Sequence, residues 1–145
     1  MKLTDLAIGD LILINNTPHK IQAIDSIDAE ILADDELYYV GEDRCHSEDK
    51  IEGIPLTPEI LEKNGFYDSY TKRYYKRFYS NGCFDIAISL VYREIEVSKV
   101  CGAGTDCEEE EYGSAIAFGN DICVHELQHA LRLCGLNELA DNFNV

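Results

Sequence analysis

Apolar positions recur every second residue through most of the chain and adopt a helical spacing only near its end. "DLILIN" (residues 10–15) and "HKIQAID" (19–25) are apolar or alternating runs split by Asn16-Thr17-Pro18, whose turn chemistry predicts a hairpin. "AEILA" (29–33) and "LYYV" (37–40) come after further Asp-rich breaks, so the first fifty residues predict a small, strongly curved sheet or barrel. "IPLTPEILEKNGF" (54–66) carries full helix punctuation, with Thr57 as N-cap, Pro58 at the first helical position, Glu59 in the first turn and Asn64-Gly65 as the stop. It predicts a helix of about two turns, anchored by Ile60 and Leu61, that joins the first sheet to the second half of the chain.

From Tyr67 to Phe118 the period returns to two. "TKRYYKRFYS" (71–80) alternates loosely, and "CFDIAISLVY" (83–92) reads as a strand with Ile86, Ile88, Leu90 and Tyr92 on one face. After Arg93-Glu94 the apolar phase moves to Ile95 and Val97, which predicts a bulge or tight turn. "CGAGTDCEEEEYG" (101–113) supplies a loop and "SAIAFG" (114–119) a last short strand. The final element is a helix over "VHELQHALRLCGL" (124–136), capped by Asn120 or Asp121 and stopped by Gly135; the polar tail beyond Asn137 is expected to fray, with Leu139 as a docking residue.

At 145 residues the chain has single-domain size and needs neither metal nor disulfide merely to fold. No segment approaches the ~18 uninterrupted apolar residues of a membrane span, and the N-terminus lacks a secretion-signal pattern. The expectation is a cytoplasmic protein whose six cysteines are reduced. The net charge of −16 argues against duplex nucleic acid and anionic membranes as partners. Acidic residues crowd both ends, leaving a near-neutral, Tyr-rich middle; they serve solubility, a basic partner, or mimicry of nucleic acid.

His125-Glu126-x-x-His129 is the spacing by which a helix offers two imidazoles to one zinc, with the glutamate activating a bound water. Three points count against that use. At 100° steps Val124, Leu127, Ala130, Leu131 and Cys134 fill one arc, and His125 and His129 centre on the opposite side, expected to face water. The extended metzincin pattern needs a Gly three residues after the second His and a third His three further on, and those positions hold Arg132 and Gly135. Glu138 is too close to serve as a ligand on a later helix, and Asp141 falls in the tail. His46 and Cys45 are upstream candidates without a supporting spacing. Cys101 and Cys107, with Cys45-His46 or Cys83, offer a sulfur-rich alternative, but no Cys-x-x-Cys is present. Glu108 to Glu111 lack a calcium-loop pattern. "KRYYKRFY" (72–79) interleaves basic and aromatic residues as single-strand nucleic-acid platforms do, and equally describes a half-buried sheet with a charged outer face.

The opening "LAIGDLILINNTPHKIQAI" is similar to the start of SH3-like small barrels. Taken together, "DLAIGDLILINNTPHKI", "IEGIPLTPEILEKNGF" and "VHELQHALRLCGL" resemble, in order and spacing, a family of small uncharacterised proteins from Bacteroidota genomes, their phages and other mobile elements. The resemblance covers the ends and the middle joint, and from Tyr67 to Asn120 only the Tyr-rich alternating texture. In that family the last helix is of the type Val-His-x-Leu-Gln, with other polar residues commonly at the positions of Glu126 and His129. The resemblance thus implies packing roles for Val124, Leu127, Leu131 and Leu133 and structural or interaction roles for His125 and Gln128, and it carries no activity.

The expected fold is α+β: an SH3-like β module over 1–53, a connecting helix over 54–66, and an antiparallel sheet packed by a C-terminal helix over 67–145, all one unit. Val124, Leu127, Leu131 and Cys134 form the buried helix face. Leu127→Ala or Leu131→Ala is expected to cost ~2–5 kcal/mol and His129→Ala well under ~1 kcal/mol. The expected function is a non-enzymatic accessory protein of a Bacteroidota phage or mobile element, cytoplasmic or in the virion, without cofactor and with a protein partner. The alternatives are a zinc hydrolase using His125, Glu126 and His129, and an acidic inhibitor mimicking nucleic acid.

Overall fold

Two tight turns organise the first half. The computed structural model, which describes residues 2–26, 28–40, 49–69, 72–80, 82–100 and 110–145, pairs β1 (Leu11–Ile14) with β2 (Thr17–Asp25) around Asn15-Asn16. It pairs β3 (Glu30–Ala33) with β4 (Glu36–Tyr39) around Asp34-Asp35. All four turn residues have positive φ, the conformation that two-residue hairpins require and that Asn and Asp tolerate best. The first turn therefore starts one residue earlier than the expected Asn16-Thr17-Pro18. With β5 (Ile51–Gly53) these strands make an antiparallel sheet in the order β4-β3-β2-β1-β5.

Helix α1 (Pro58–Lys63) obeys its punctuation, since Thr57 Oγ1 accepts the Ile60 N–H and Gly65 leaves the helix at φ 78°. The second sheet comprises β6 (Tyr67–Ser69), β7 (Arg73–Ser80), β8 (Gly82–Ser89), β9 (Glu94–Val100) and β10 (Glu110–Ala117), antiparallel in the order β10-β9-β8-β7-β6. The β8–β9 connection is the anticipated tight turn, with Arg93 at positive φ. It begins at Leu90, so Tyr92 is exposed in the turn and does not extend the Ile86–Ile88 face. The last strand is longer than "SAIAFG" suggests.

The chain closes with α2 (Val124–Leu133) and α3 (Asn137–Asp141). The N-cap of α2 is Cys123, not Asn120 or Asp121, and Glu126 Oε2 accepts the Cys123 N–H at 2.8 Å, satisfying a donor that the helix leaves open. The tail does not fray: α3 buries Leu139 and Ala140, and Phe143 beyond it is buried too. A polar sequence of five residues gives no helical period to read, and docking supplies its stability.

The architecture is α+β, with two apolar cores that share one strand. On β1, Ile12 and Ile14 enter the core of the first sheet with Leu6, Ile21, Ile31 and Ala33. Leu11 and Leu13, on its other face, pack against the main core, where Ile86, Ile88, Ile95 and Val97 meet Val124, Leu127, Ala130 and Leu131 of α2. That double burial explains a strand apolar at every position. A short pairing of 54–56 with 122–124 ties the first sheet's exit to the start of α2.

Candidate functional site

Both sides of α2 are covered. Val124, Leu127 and Leu131 are fully buried, and Cys134, just past the last turn, is partly buried against the same core. The opposite side, expected to meet water, instead meets residues 7–11 and β5. His125 is only 6% exposed and Gln128 is fully buried. The expectation fails because the covering layer arrives from upstream in the chain, a source of cover that the shortness of the chain after His129 does not limit.

Each polar residue of this side has a partner in that layer or a structural task. Gln128 Oε1 accepts the Leu11 N–H at 2.9 Å, and its Nε2 donates to the carbonyls of Gly9 at 3.1 Å and Ala140 at 2.9 Å. One amide thus binds the start of β1, α2 and α3 together. Asp10 is fully buried; its Oδ2 lies 2.8 Å from His129 Nε2 and accepts the Ala7 N–H at 2.7 Å, while Oδ1 accepts from Arg132 Nη1 at 2.7 Å. Arg132 continues to Asp141 Oδ1 at 3.1 Å. Burial opposes the charge on Arg132, but its hydrogen bonds to the two aspartates outweigh that and raise its pKa.

His125 packs its Cε1 against Gly53: a Cβ at that glycine would stand 2.9 Å from Cε1 and 2.7 Å from Cys123 Sγ. Its Nδ1 is buried without a hydrogen-bond partner among the described residues. Burial holds the imidazole below its ordinary pKa, with Asp10 and Glu126 pulling the other way and His129 adding to the depression. Burial likewise pushes the thiols of Cys123 and Cys134 up, away from nucleophilic thiolate.

The two imidazoles meet edge to face with centroids 6.1 Å apart. His129 Nε2 points to Asp10 and Glu126 caps the helix, so the zincin roles of His125, Glu126 and His129 compete with tasks these side chains already perform. Among the described residues no three His, Cys, Asp or Glu side chains are grouped to hold a metal. Cys45, His46, Cys101, Cys107, Glu108 and Glu109 lie outside the described residues.

Leu133, given a packing role by the resemblance, is 82% exposed. Two shallow clefts flank it, one of about 220 Å³ reaching Ile116 and Phe118 and one of about 390 Å³ reaching Ala7, and both include His129. Ile8, next along the chain, is 63% exposed. This apolar patch borders β10, an outer strand of its sheet.

The basic-aromatic run divides between the two faces of β7. Tyr74, Lys76 and Phe78 face the core side; Lys76 donates to the Asn64 carbonyl beside the Phe66 ring, and burial lowers its pKa. Arg73, Tyr75, Arg77 and Tyr79 occupy the outer face, where Arg77 forms a two-pronged pair with Asp85 at 2.6 Å and Arg73 binds Glu94 and Glu96 at 2.7 and 3.1 Å.

Asp10, Gly53 and Arg132 shape the surroundings of α2, and the sequence does not single them out for that. Asp10 has one available signal, a carboxylate directly before a wholly apolar strand. Compared with protein-family models, curated proteins and solved structures, the chain matches none of them. No helix among the described residues is long and apolar enough to cross a membrane.

Proposed function

We propose that this chain is a non-enzymatic interaction protein, an accessory factor of a Bacteroidota phage or mobile element acting in the bacterial cytosol or the virion. On this reading the first sheet is an SH3-like module, and a protein partner docks on the patch centred on Leu133. The observation that carries the proposal is the exposure of Leu133 between two clefts, on a helix whose other large apolar residues are buried. An isolated exposed leucine is ordinary, but one set between two clefts and bordered by an outer strand has the form of a docking surface. The net charge of −16 favours a partner whose apolar anchor is flanked by basic residues. The engagement of His125, Glu126, Gln128 and His129 in packing, capping and hydrogen bonding supports a structural reading of the helix motif.

The test is affinity capture from host lysate at low and moderate salt, comparing the natural sequence with Leu133→Asp. Retention of one polypeptide by the former and its loss in the variant, with unchanged circular dichroism, is expected. Equal retention by both, or no retained protein at either salt, contradicts the proposal.

A further inference from the structure

The outer face of the second sheet, opposite α2, carries a cleft of about 530 Å³, within the range of small-ligand sites. Its floor is low because Ala87 stands between Tyr75 and Glu96 across three neighbouring strands. One wall is aromatic: Tyr67 and Tyr75 are cross-strand partners with rings stacked at 29° and centroids 6.1 Å apart, and Tyr67 is 63% exposed. The other walls are charged: Arg77 pairs with Asp85, and Glu96 is held by Arg73 from outside the lining.

These pairs decide what kind of ligand fits. A phosphate or carboxylate would find each guanidinium already neutralised by a carboxylate, and an ammonium would find each carboxylate already held by a guanidinium. An uncharged polyol meets neither obstacle. Arg77 uses Nε and one Nη on Asp85 and retains further N–H donors, and the carboxylates retain lone pairs. The cleft thus offers fixed donors beside fixed acceptors, the arrangement that vicinal hydroxyls satisfy in both directions at once. An exposed tyrosine stack supplies the flat apolar surface that the C–H face of a sugar ring covers. Single-stranded nucleic acid would also use the stack, but it needs free cations, and the whole chain is strongly acidic.

The geometry points to a binding site for a neutral oligosaccharide on the outer face of the second sheet, held by Tyr67 and Tyr75 and oriented by the Arg77–Asp85 pair and by Glu96. This site is separate from the Leu133 patch and does not depend on it.

The experiment is saturation-transfer NMR and then calorimetry on the full chain with cellohexaose, xylohexaose, mannohexaose, laminarihexaose and maltohexaose, with an oligothymidylate as the nucleic-acid probe. At least one sugar is expected to bind with a Kd of roughly 0.1–1 mM, as an open cleft permits. Tyr67→Ala and Arg77→Met should each weaken it at least ~10-fold while leaving circular dichroism unchanged, and Leu133→Asp should bind as the natural sequence does. The inference is overturned if no sugar binds in the millimolar range or if sugar binding survives both substitutions. Oligothymidylate binding that is lost in Tyr67→Ala overturns it as well.

Discussion

Asp10 and His129, 119 positions apart in the chain, meet at 2.8 Å through a carboxylate that is fully buried. That contact, with Arg132 on the other carboxylate oxygen, fastens the last long helix to the strand that both cores share. Removing Asp10 leaves a guanidinium and an imidazole without their buried acceptor. Asp10→Ala should cost ~3–5 kcal/mol, measured by urea denaturation. His129→Ala, which leaves Asp10 still paired with Arg132, should cost about 1–2 kcal/mol, above the value that a water-facing histidine would give.

Gln128 serves three backbone groups with one side chain. Gln128→Leu preserves most of the volume but strands the Leu11 N–H and the Gly9 and Ala140 carbonyls. A loss of about 2–4 kcal/mol is expected, against less than ~0.5 kcal/mol for Leu133→Ala on the exposed end of the same helix. Equal losses in thermal or urea unfolding would show that the polar side of α2 is not held as described.

Gly53 gives His125 and Cys123 their room. Gly53→Ala should destabilise by about 1–3 kcal/mol through overpacking. Combining it with His125→Ala should recover part of that loss, giving a non-additive pair in the unfolding free energies. Strict additivity would place the strain elsewhere.

Stability should fall on mild acidification. The native state keeps His125 neutral because burial lowers its pKa, while the unfolded chain takes up a proton near the ordinary value of ~6.5. Above that value neither state is protonated and His125 adds no penalty. As pH falls through it, the unfolded state binds more protons and gains on the native state until the lowered native pKa is reached. His125→Leu should flatten this slope in urea midpoints measured between about pH 7.5 and pH 5.5.

The range over which each interaction acts decides how much of the structure is legible in the sequence. The Thr57–Pro58 start and Asn64-Gly65 stop of α1 are local, and the helix forms where they indicate. The alternation of Ile86, Ile88, Ile95 and Val97 is also local and identifies the core face of the second sheet. The environment of α2 is not local. A helical projection identifies the more apolar side, but it cannot reveal that a strand from the chain's beginning covers the other side as well. The projection therefore puts His125 and His129 in water, and Asp10, whose partners His129 and Arg132 lie over a hundred residues away, gives little sign of its role. Leu133 departs in the opposite direction, apolar in type and exposed in fact.

The most direct test of the structural reading of the helix motif is a double-mutant cycle between Asp10→Ala and His129→Ala, measured by urea unfolding of untagged protein in excess EDTA. The two residues are expected to couple by about 1–2 kcal/mol with the chelator present. Additive losses, or a coupling that vanishes when metal is removed, would contradict the account and return His125, Glu126 and His129 to the chemistry of a metal centre.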